Sequence, residues 1–371
     1  MHVTEAGGGG VRRHLGYIVP ALAAAGVRQS LVISLERAEA GLAEELTTWE
    51  ALGCAVHVLP LRHGLSLHDP GQLRALRALL RAEAPGVLHA HATKAGLLAR
   101  LAAPREVPVV YSPHSFFFQE LRGPTRWLAR ALERWLVGRT ARFVLVSEAE
   151  REVAQRDLGV GDERLRVVEN GLPDTWRDRL LPREEVRAAW QAEPTDRVLL
   201  VPARLARQKG HDWLFRALAP FAQEPRLQVR LLGTGPAEPT LRQLARELGI
   251  ERLLRWDGFV PDADRRLAGA DLVLLPSRHE GLPYTLLESL AAGVPLVVSD
   301  IPGNVPHEDL RAVAAVVPLD DVPALSQALR ALLDNPLPWR DRAADGPALQ
   351  RRLWSLDRQV AGLLACYCEL S

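Results

Sequence analysis

Lysine is almost missing from this chain of 371 residues: of 46 basic side chains only Lys94 and Lys209 are lysines, and the rest are arginine. Base composition acting on free surface positions produces such a bias, so a position that keeps lysine stands out as one needing a compact ammonium. Cysteine is nearly as scarce. Cys54, Cys366 and Cys368 form no metal-ligand spacing, and an odd number fits a reducing compartment better than a disulfide framework. A charge excess is lacking too: 46 basic against 45 acidic residues leave +1, which argues against a dedicated nucleic-acid binder. No apolar run approaches the roughly 18 residues of a spanning helix; the best, 15–27, is short and contains Pro20 and Gly26. The opening residues Met1 to Glu5 lack the charged and apolar regions of a signal peptide. The expectation is a cytoplasmic protein whose contact with a membrane, if it makes one, is peripheral.

What is present is an ordinary globular composition, 47% apolar and 25% charged, on a chain long enough for two domains. Runs of aliphatic and β-branched residues recur at 30–35, 55–59, 86–89, 107–112, 142–147 and 165–169, separated by helical periodicity such as 70–84 and 123–137. After a polar segment at 172–195 the pattern restarts, with strand candidates at 198–202, 229–232, 253–256, 271–276, 295–299 and 313–317. Alternating β and α implies two doubly wound domains with parallel sheets and a boundary near 172–183. Only Met1 to Thr4 precede the first glycine loop, short of the usual ~5–6 residues of a strand. A late start codon or a truncated edge strand is the expectation there.

Ligands of such sheets bind at the carboxyl ends of the strands, where the chemistry-bearing residues of this chain fall. Gly7 to Gly10, ahead of a helix beginning near Val11, would let a phosphate approach free amides, although taken by itself the run reads better as a merely flexible turn. Arg204 and Lys209, five apart after a strand, can grip one diphosphate from two sides; the alternative is a solvated loop. The strongest constellation is Glu280-Gly281-Leu282-Pro283-Tyr284-Thr285-Leu286-Leu287-Glu288. Pro283 reads as a first-turn residue, which places Glu280 in a loop, Glu288 in the following helix, and the amides of Gly281 and Leu282 at its amino terminus. Two carboxylates beside an anion site are compatible once each accepts hydrogen bonds from neutral sugar hydroxyls.

These motifs resemble the retaining nucleotide-sugar glycosyltransferases of family 4, which have the GT-B fold: two Rossmann-like domains facing across a cleft. Glu280 to Glu288 looks like the family's Glu-x7-Glu motif, and Arg204 with Lys209 like its diphosphate-binding pair. Gly7 to Gly10, Val167 to Gly171, Gly233-Thr234-Gly235-Pro236 and Ala291 to Pro295 extend the resemblance over nearly the whole chain. It implies an acceptor domain at 1–175, a donor domain at 176–347, and a carboxyl-terminal helix at 348–371 crossing back. It further implies that Arg204 and Lys209 neutralise the leaving diphosphate, aided by the Gly9 and Gly10 amides. Glu288 would bind ribose, Glu280 with Gly281 and Leu282 the sugar, and Gly233, Phe259, Val260 and Pro283 would line the rest of the donor site. No metal or other cofactor is expected.

The amino-terminal segments around His89-Ala90-His91-Ala92-Thr93-Lys94 and Tyr111-Ser112-Pro113-His114 resemble a bacterial subgroup that builds capsule, exopolysaccharide and lipopolysaccharide. The resemblance assigns His114 a role near the transferred sugar and puts His91 on the acceptor side. Lys94 either contacts an anionic acceptor group or caps its loop. Residues 62–142 hold 13 basic and 5 acidic side chains. Within 124–137, Arg126, Arg130 and Arg134 form a stripe opposite Leu128, Leu132, Trp135 and Leu136, the apolar side being expected to pack on the sheet. That basic excess suits an anionic membrane bearing the acceptor. The implied reaction moves a hexose or N-acetylhexosamine from a nucleotide diphosphate, UDP favoured, to a glycan or lipid-linked hydroxyl. A GDP-mannose-dependent mannosyltransferase, a nucleotide-sugar epimerase of the same architecture and a silent scaffold subunit are the alternatives. A pyridoxal-dependent phosphorylase is nearly closed off by the scarcity of lysine.

Overall fold

A computed structural model describes residues 1–370 except Arg37, His63 and Leu65. The chain forms two compact units, 1–171 joined by 356–371, and 172–355. Each is a parallel sheet flanked by helices, as the alternating pattern predicts. The first unit holds β1 (His2–Thr4), β2 (Ser30–Ile33), β3 (Ala55–Val58), β4 (Leu88–His91), β5 (Val109–Ser112), β6 (Arg142–Leu145) and β7 (Leu165–Val167) in the order β3-β2-β1-β4-β5-β6-β7. The second holds β8 (Arg197–Val201), β9 (Leu227–Leu232), β10 (Leu254–Gly258), β11 (Leu272–Leu275), β12 (Leu296–Ser299) and β13 (Ala315–Val317) in the order β10-β9-β8-β11-β12-β13. Each sheet reverses its strand order once, between β1 and β4 and between β8 and β11, and such a reversal opens a crevice at the strands' carboxyl ends.

Three boundaries differ from expectation. β1 has three residues but pairs on both sides, with β2 and β4, so it is a central strand rather than an edge. β4 begins two residues later than the 86–89 run suggests, which puts His89 and His91 inside the strand instead of after it. The segment expected as one crossing helix from 348 is two: Gly346–Leu353 packs in the second unit, and Leu356–Cys368 belongs to the first. The break follows from the backbone at Trp354, which leaves the helical region while its indole is buried, and from the pairing of Leu172 with Ser355.

The helix Gly123–Leu136 is rotated relative to its predicted face. Leu136 is buried, but Leu128 and Trp135 are 63% and 60% exposed, and the other inward residue is Glu133. Charge compensation explains this. Arg100, fully buried, lies 4.0 Å over the Tyr111 ring and donates to Glu133 Oε2 at 2.8 Å. A buried guanidinium needs its counter-ion more than the helix needs one more apolar contact. Glu133→Ala, which strands that charge, is therefore expected to destabilise the protein by about 3–5 kcal/mol in denaturant unfolding; a change below about 1 kcal/mol would contradict this account of the helix rotation.

Candidate active site

In the second unit the loops after β8 and β11, the strands flanking the order reversal, are fastened together. Arg207–Lys209 makes a single helical turn, and Gly210, at φ 71°, leads into the helix His211–Leu218. A Cβ on Gly210 would collide with the Pro276 carbonyl. The Arg278 amide donates to Gln208 O, and Gln208 Nε2 to His279 O, each at 2.7 Å. The Arg278 guanidinium clamps Asp212 at 2.6 Å and Asp320 at 2.7 Å. The outcome is an ion pair between the two predicted residues: Lys209 Nζ stands 2.6 Å from Glu280 Oε1. His211 beside it is held neutral, its pKa pushed to about 4 by burial and then by the Lys209 ammonium.

Arg204 is exposed, and its guanidinium has no side-chain partner among the described residues. Its loop is set by Gly233 and Gly235, where a Cβ would strike the carbonyls of Ala203 and Leu205, and by Leu205 N donating to Thr234 O at 3.0 Å. Gly233 thus acts by close backbone approach. Phe259 and Val260 follow β10, the former exposed and the latter partly buried. Glu280 is backed by a residue the motif reading missed, Gly303, where a Cβ would overlap the Glu280 backbone. Its neighbour Asn304 donates to Leu275 O at 3.2 Å and to Ser299 Oγ at 3.0 Å, pinning the loop after β12 to that after β11. The Pro-Gly-Asn run at 302–304, directly after a strand, was the available signal.

Pro283 is the residue before the helix, with extended backbone, and not a first-turn residue; the helix is Tyr284–Ala292. The correction has a local reason, since Pro283 takes a ψ of 134° and the chain becomes helical only after it. Gly281 and Leu282 are buried in the turn leading to it, and Glu288 lies on the helix, 1% exposed.

In the first unit the helix after β1 begins at Gly9, two residues before Val11, with Gly9 and Gly10 exposed. No side chain caps it and its first turn holds no acid, so its amides remain available to an anion. Glu5 occupies the other helix terminus at this crevice, accepting from the Lys94 and Ala95 amides at 3.1 and 2.9 Å. Lys94 itself is 4% exposed, with Nζ 2.6 Å from both Asp69 Oδ1 and the Gly64 carbonyl. A buried ammonium with these two partners ties its loop to the helix Asp69–Glu83, one of the two readings its sequence position left open. His91 is 0% exposed between His2 and His114. His114 is partly exposed and sits at φ 50°, followed by Ser115 at φ 87°. Such a left-handed pair is strained, and Glu150 holds it, accepting from Ser115 N at 2.5 Å and Val146 N at 3.0 Å.

Two histidine trios, His2/His89/His91 and His14/His91/His114, bring ring nitrogens within 4.8 Å of one another. In the first, both His89 nitrogens are engaged by Ser112 and Tyr367. In the second, His91 Nδ1 and His114 Nε2 are 3.1 Å apart, within hydrogen-bond distance. In the Asp-x-Asp spacing at Asp262 and Asp264, Asp262 pairs with Arg266 and Asp264 with Arg179.

Two doubly wound units, with Arg204, Lys209 and Glu280 at the order reversal of the second, define a glycosyltransferase of the GT-B class. Residues 9–171 match the Glycosyl transferase 4-like domain and residues 196–335 match Glycosyl transferases group 1. D-inositol 3-phosphate glycosyltransferase 2 of Catenulispora acidiphila is 31% identical over 335 residues, 76% of each chain. Alpha-D-kanosaminyltransferase of Streptomyces kanamyceticus is 28% identical over 313 residues, 77% of this chain and 79% of that one. Among solved structures, HepE of Anabaena in complex with UDP and glucose superposes with a TM-score of 0.80 at 18% identity, over 98% of each chain. The chain belongs to the family 4 glycosyltransferases.

The Gly303 contact makes a prediction. Gly303→Ala should lower stability by about 1–3 kcal/mol, the usual cost of overpacking, and weaken nucleotide-sugar binding by moving Glu280. An alanine variant with the wild-type Tm would show that the two loops do not meet as described.

Proposed function

We propose that this protein is a retaining hexosyltransferase that moves a hexose or N-acetylhexosamine from a UDP-sugar to a hydroxyl of a glycan or lipid-linked acceptor in cell-surface polysaccharide synthesis. The Lys209–Glu280 pair carries the reading. An ammonium has three donors and a carboxylate two acceptor oxygens. One contact between them leaves two N–H groups for phosphate oxygens and Glu280 Oε2 for a sugar hydroxyl. Arg204 adds an unpaired planar fork for the diphosphate. Glu288 serves the ribose, and the turn amides of Gly281 and Leu282 the sugar. In the proposed step the bond from C1 to the diphosphate breaks with charge developing on the leaving phosphate. The acceptor oxygen attacks from the same face, and its proton passes to the leaving group. Stabilisation of that charge by fixed cations supports a reaction without metal, and HepE, solved with UDP and glucose, supports UDP as the nucleotide. A GDP-sugar is the competing reading.

Glu280→Ala and Lys209→Ala should each cut turnover by about two orders of magnitude or more, the scale of a lost charge-stabilising contact. Lys209→Arg should also impair donor use, because a guanidinium fork does not replace a compact ammonium. Wild-type rates in the alanine variants would sink the assignment. In a thermal-shift panel, UDP at 100 times its Kd should add about 2.7 kcal/mol, with GDP and ADP adding less; a larger GDP shift would favour the mannosyl donor.

The acceptor side of the proposal includes an anionic membrane surface at the cytoplasmic face. On the helix Gly123–Leu136, Trp127 is 71% exposed beside Leu128 and Trp135, and Arg122, Arg126, Arg134 and Arg139 are exposed along the same segment. No helix among the described residues is long and apolar enough to cross a membrane. Interfacial tryptophans with arginines suit the headgroup region of a bilayer. Co-sedimentation with phosphatidylglycerol vesicles, lost with phosphatidylcholine alone and reduced at least tenfold in Trp127→Ser/Trp135→Ser, is expected; equal binding to both vesicle types would refute this partner.

A further inference from the structure

Three histidines from separate elements of the first unit converge. His14 comes from the helix Gly9–Ala24, His91 from the end of β4 and His114 from the turn after β5. One nitrogen of each ring lies within 4.8 Å of the other two. The ring centroids of His14 and His114 are 4.6 Å apart, and each lies 5.4 Å from that of His91. His91 turns Nε2 to His2 and Nδ1 to His114 Nε2, the latter at 3.1 Å. Nitrogens bound to one zinc ion at ~2.0–2.1 Å in a tetrahedron stand about 3.3 Å apart, so this pair already has nearly the spacing of two ligands. A hydrogen bond accounts for two rings at that distance but not for a third set against both.

The far sides of these rings are fixed as those of ligand rings are. A metal-bound histidine ordinarily gives its second nitrogen to a polar partner, which sets the direction of the ring. His14 Nδ1 lies 3.2 Å from Asn170 Oδ1 and 3.1 Å from Gln359 Nε2, so Nε2 is the atom it would offer an ion. His91 Nε2 has His2 Nδ1 at 3.1 Å. His114 is placed by its backbone, the left-handed turn that Glu150 secures through the Ser115 amide. The neighbouring trio of His2, His89 and His91 is less suited, since both His89 nitrogens are engaged and all three rings are buried. His114 is partly exposed and gives an ion a way in. Among the described residues neither a carboxylate nor a thiolate joins the trio. Imidazoles alone select zinc-like ions over magnesium or calcium, which take oxygen ligands.

We propose that His14, His91 and His114 form a binding site for a divalent transition ion of the zinc class, with three imidazole ligands and a fourth position left to solvent. Binding draws nitrogens now within 4.8 Å of one another to about 3.3 Å, a shift within reach of side-chain rotation. The ligands belong to the first unit and the cations assigned to the leaving diphosphate to the second; the inference does not rest on the proposed reaction and adds no ion to it. Full-length untagged protein stripped with EDTA should take up a single Zn2+ per chain near neutral pH in isothermal titration, with Tm rising on addition, and should take up no Mg2+. X-ray absorption at the zinc edge should count three imidazoles. His14→Ala and His114→Ala should each weaken zinc binding roughly tenfold or more, whereas His89→Ala should leave it in place. Should a variant fail to fold, the ligand count on the wild-type protein decides. No zinc uptake, a count below three imidazoles, full affinity in either the His14 or the His114 variant, or loss of zinc in His89→Ala overturns the proposal. None of these results touches the glycosyltransferase reading, which stands or falls on nucleotide binding and turnover.

Discussion

In both units consecutive crossovers part company at one place in the sheet, between β1 and β4 and between β8 and β11. Parallel strands joined by right-handed crossovers leave no other arrangement when the strand order reverses. The loops on either side diverge, and the residues at the strand ends lose the cover that a continuous layer of helices provides. Most of the candidate site residues of this chain lie there. Glu5, the glycine loop and the histidines border the first reversal, and Arg204, Lys209 and Glu280 border the second. The rest of each unit serves to hold those loops still.

Charge compensation does much of that holding, and the two lysines show how burial sorts its consequences. Both ammonium groups stand 2.6 Å from a carboxylate oxygen. Lys94 is 4% exposed and also donates to a backbone carbonyl, so its charge is consumed within the fold. Lys209 is 22% exposed with one such partner, which leaves it capacity for a ligand. Scarcity of lysine marked both positions and could not tell them apart. The same accounting turned the helix Gly123–Leu136, because Arg100 required Glu133 beneath it, and the turn left two tryptophans and a leucine facing water.

The strands were legible from the chain because fully buried parallel strands need uninterrupted aliphatic runs, and those runs survive as pattern. Glu280 and Lys209 were legible because loop, glycine and helix start follow one another in fixed spacing. His2 and His14 were not. A histidine carries no periodic signal, and its meaning here comes from neighbours up to 345 residues away, such as Gln359 beside His14. Gly303 and Glu150 escaped for a related reason, since each acts through contact with a backbone segment distant in sequence.

The amino-acid sequence by itself determined the two-domain α/β architecture, the strand positions and the spacing that sets Lys209, Glu280 and Glu288 on neighbouring loops and a helix, all of which depend on local periodicity and short spacing. Only the tertiary structure decided which lysine is buried and which keeps an exposed ammonium, and which face of the basic helix meets solvent. Those outcomes depend on burial and on partners brought together from distant segments, and neither exists until the sheets have formed.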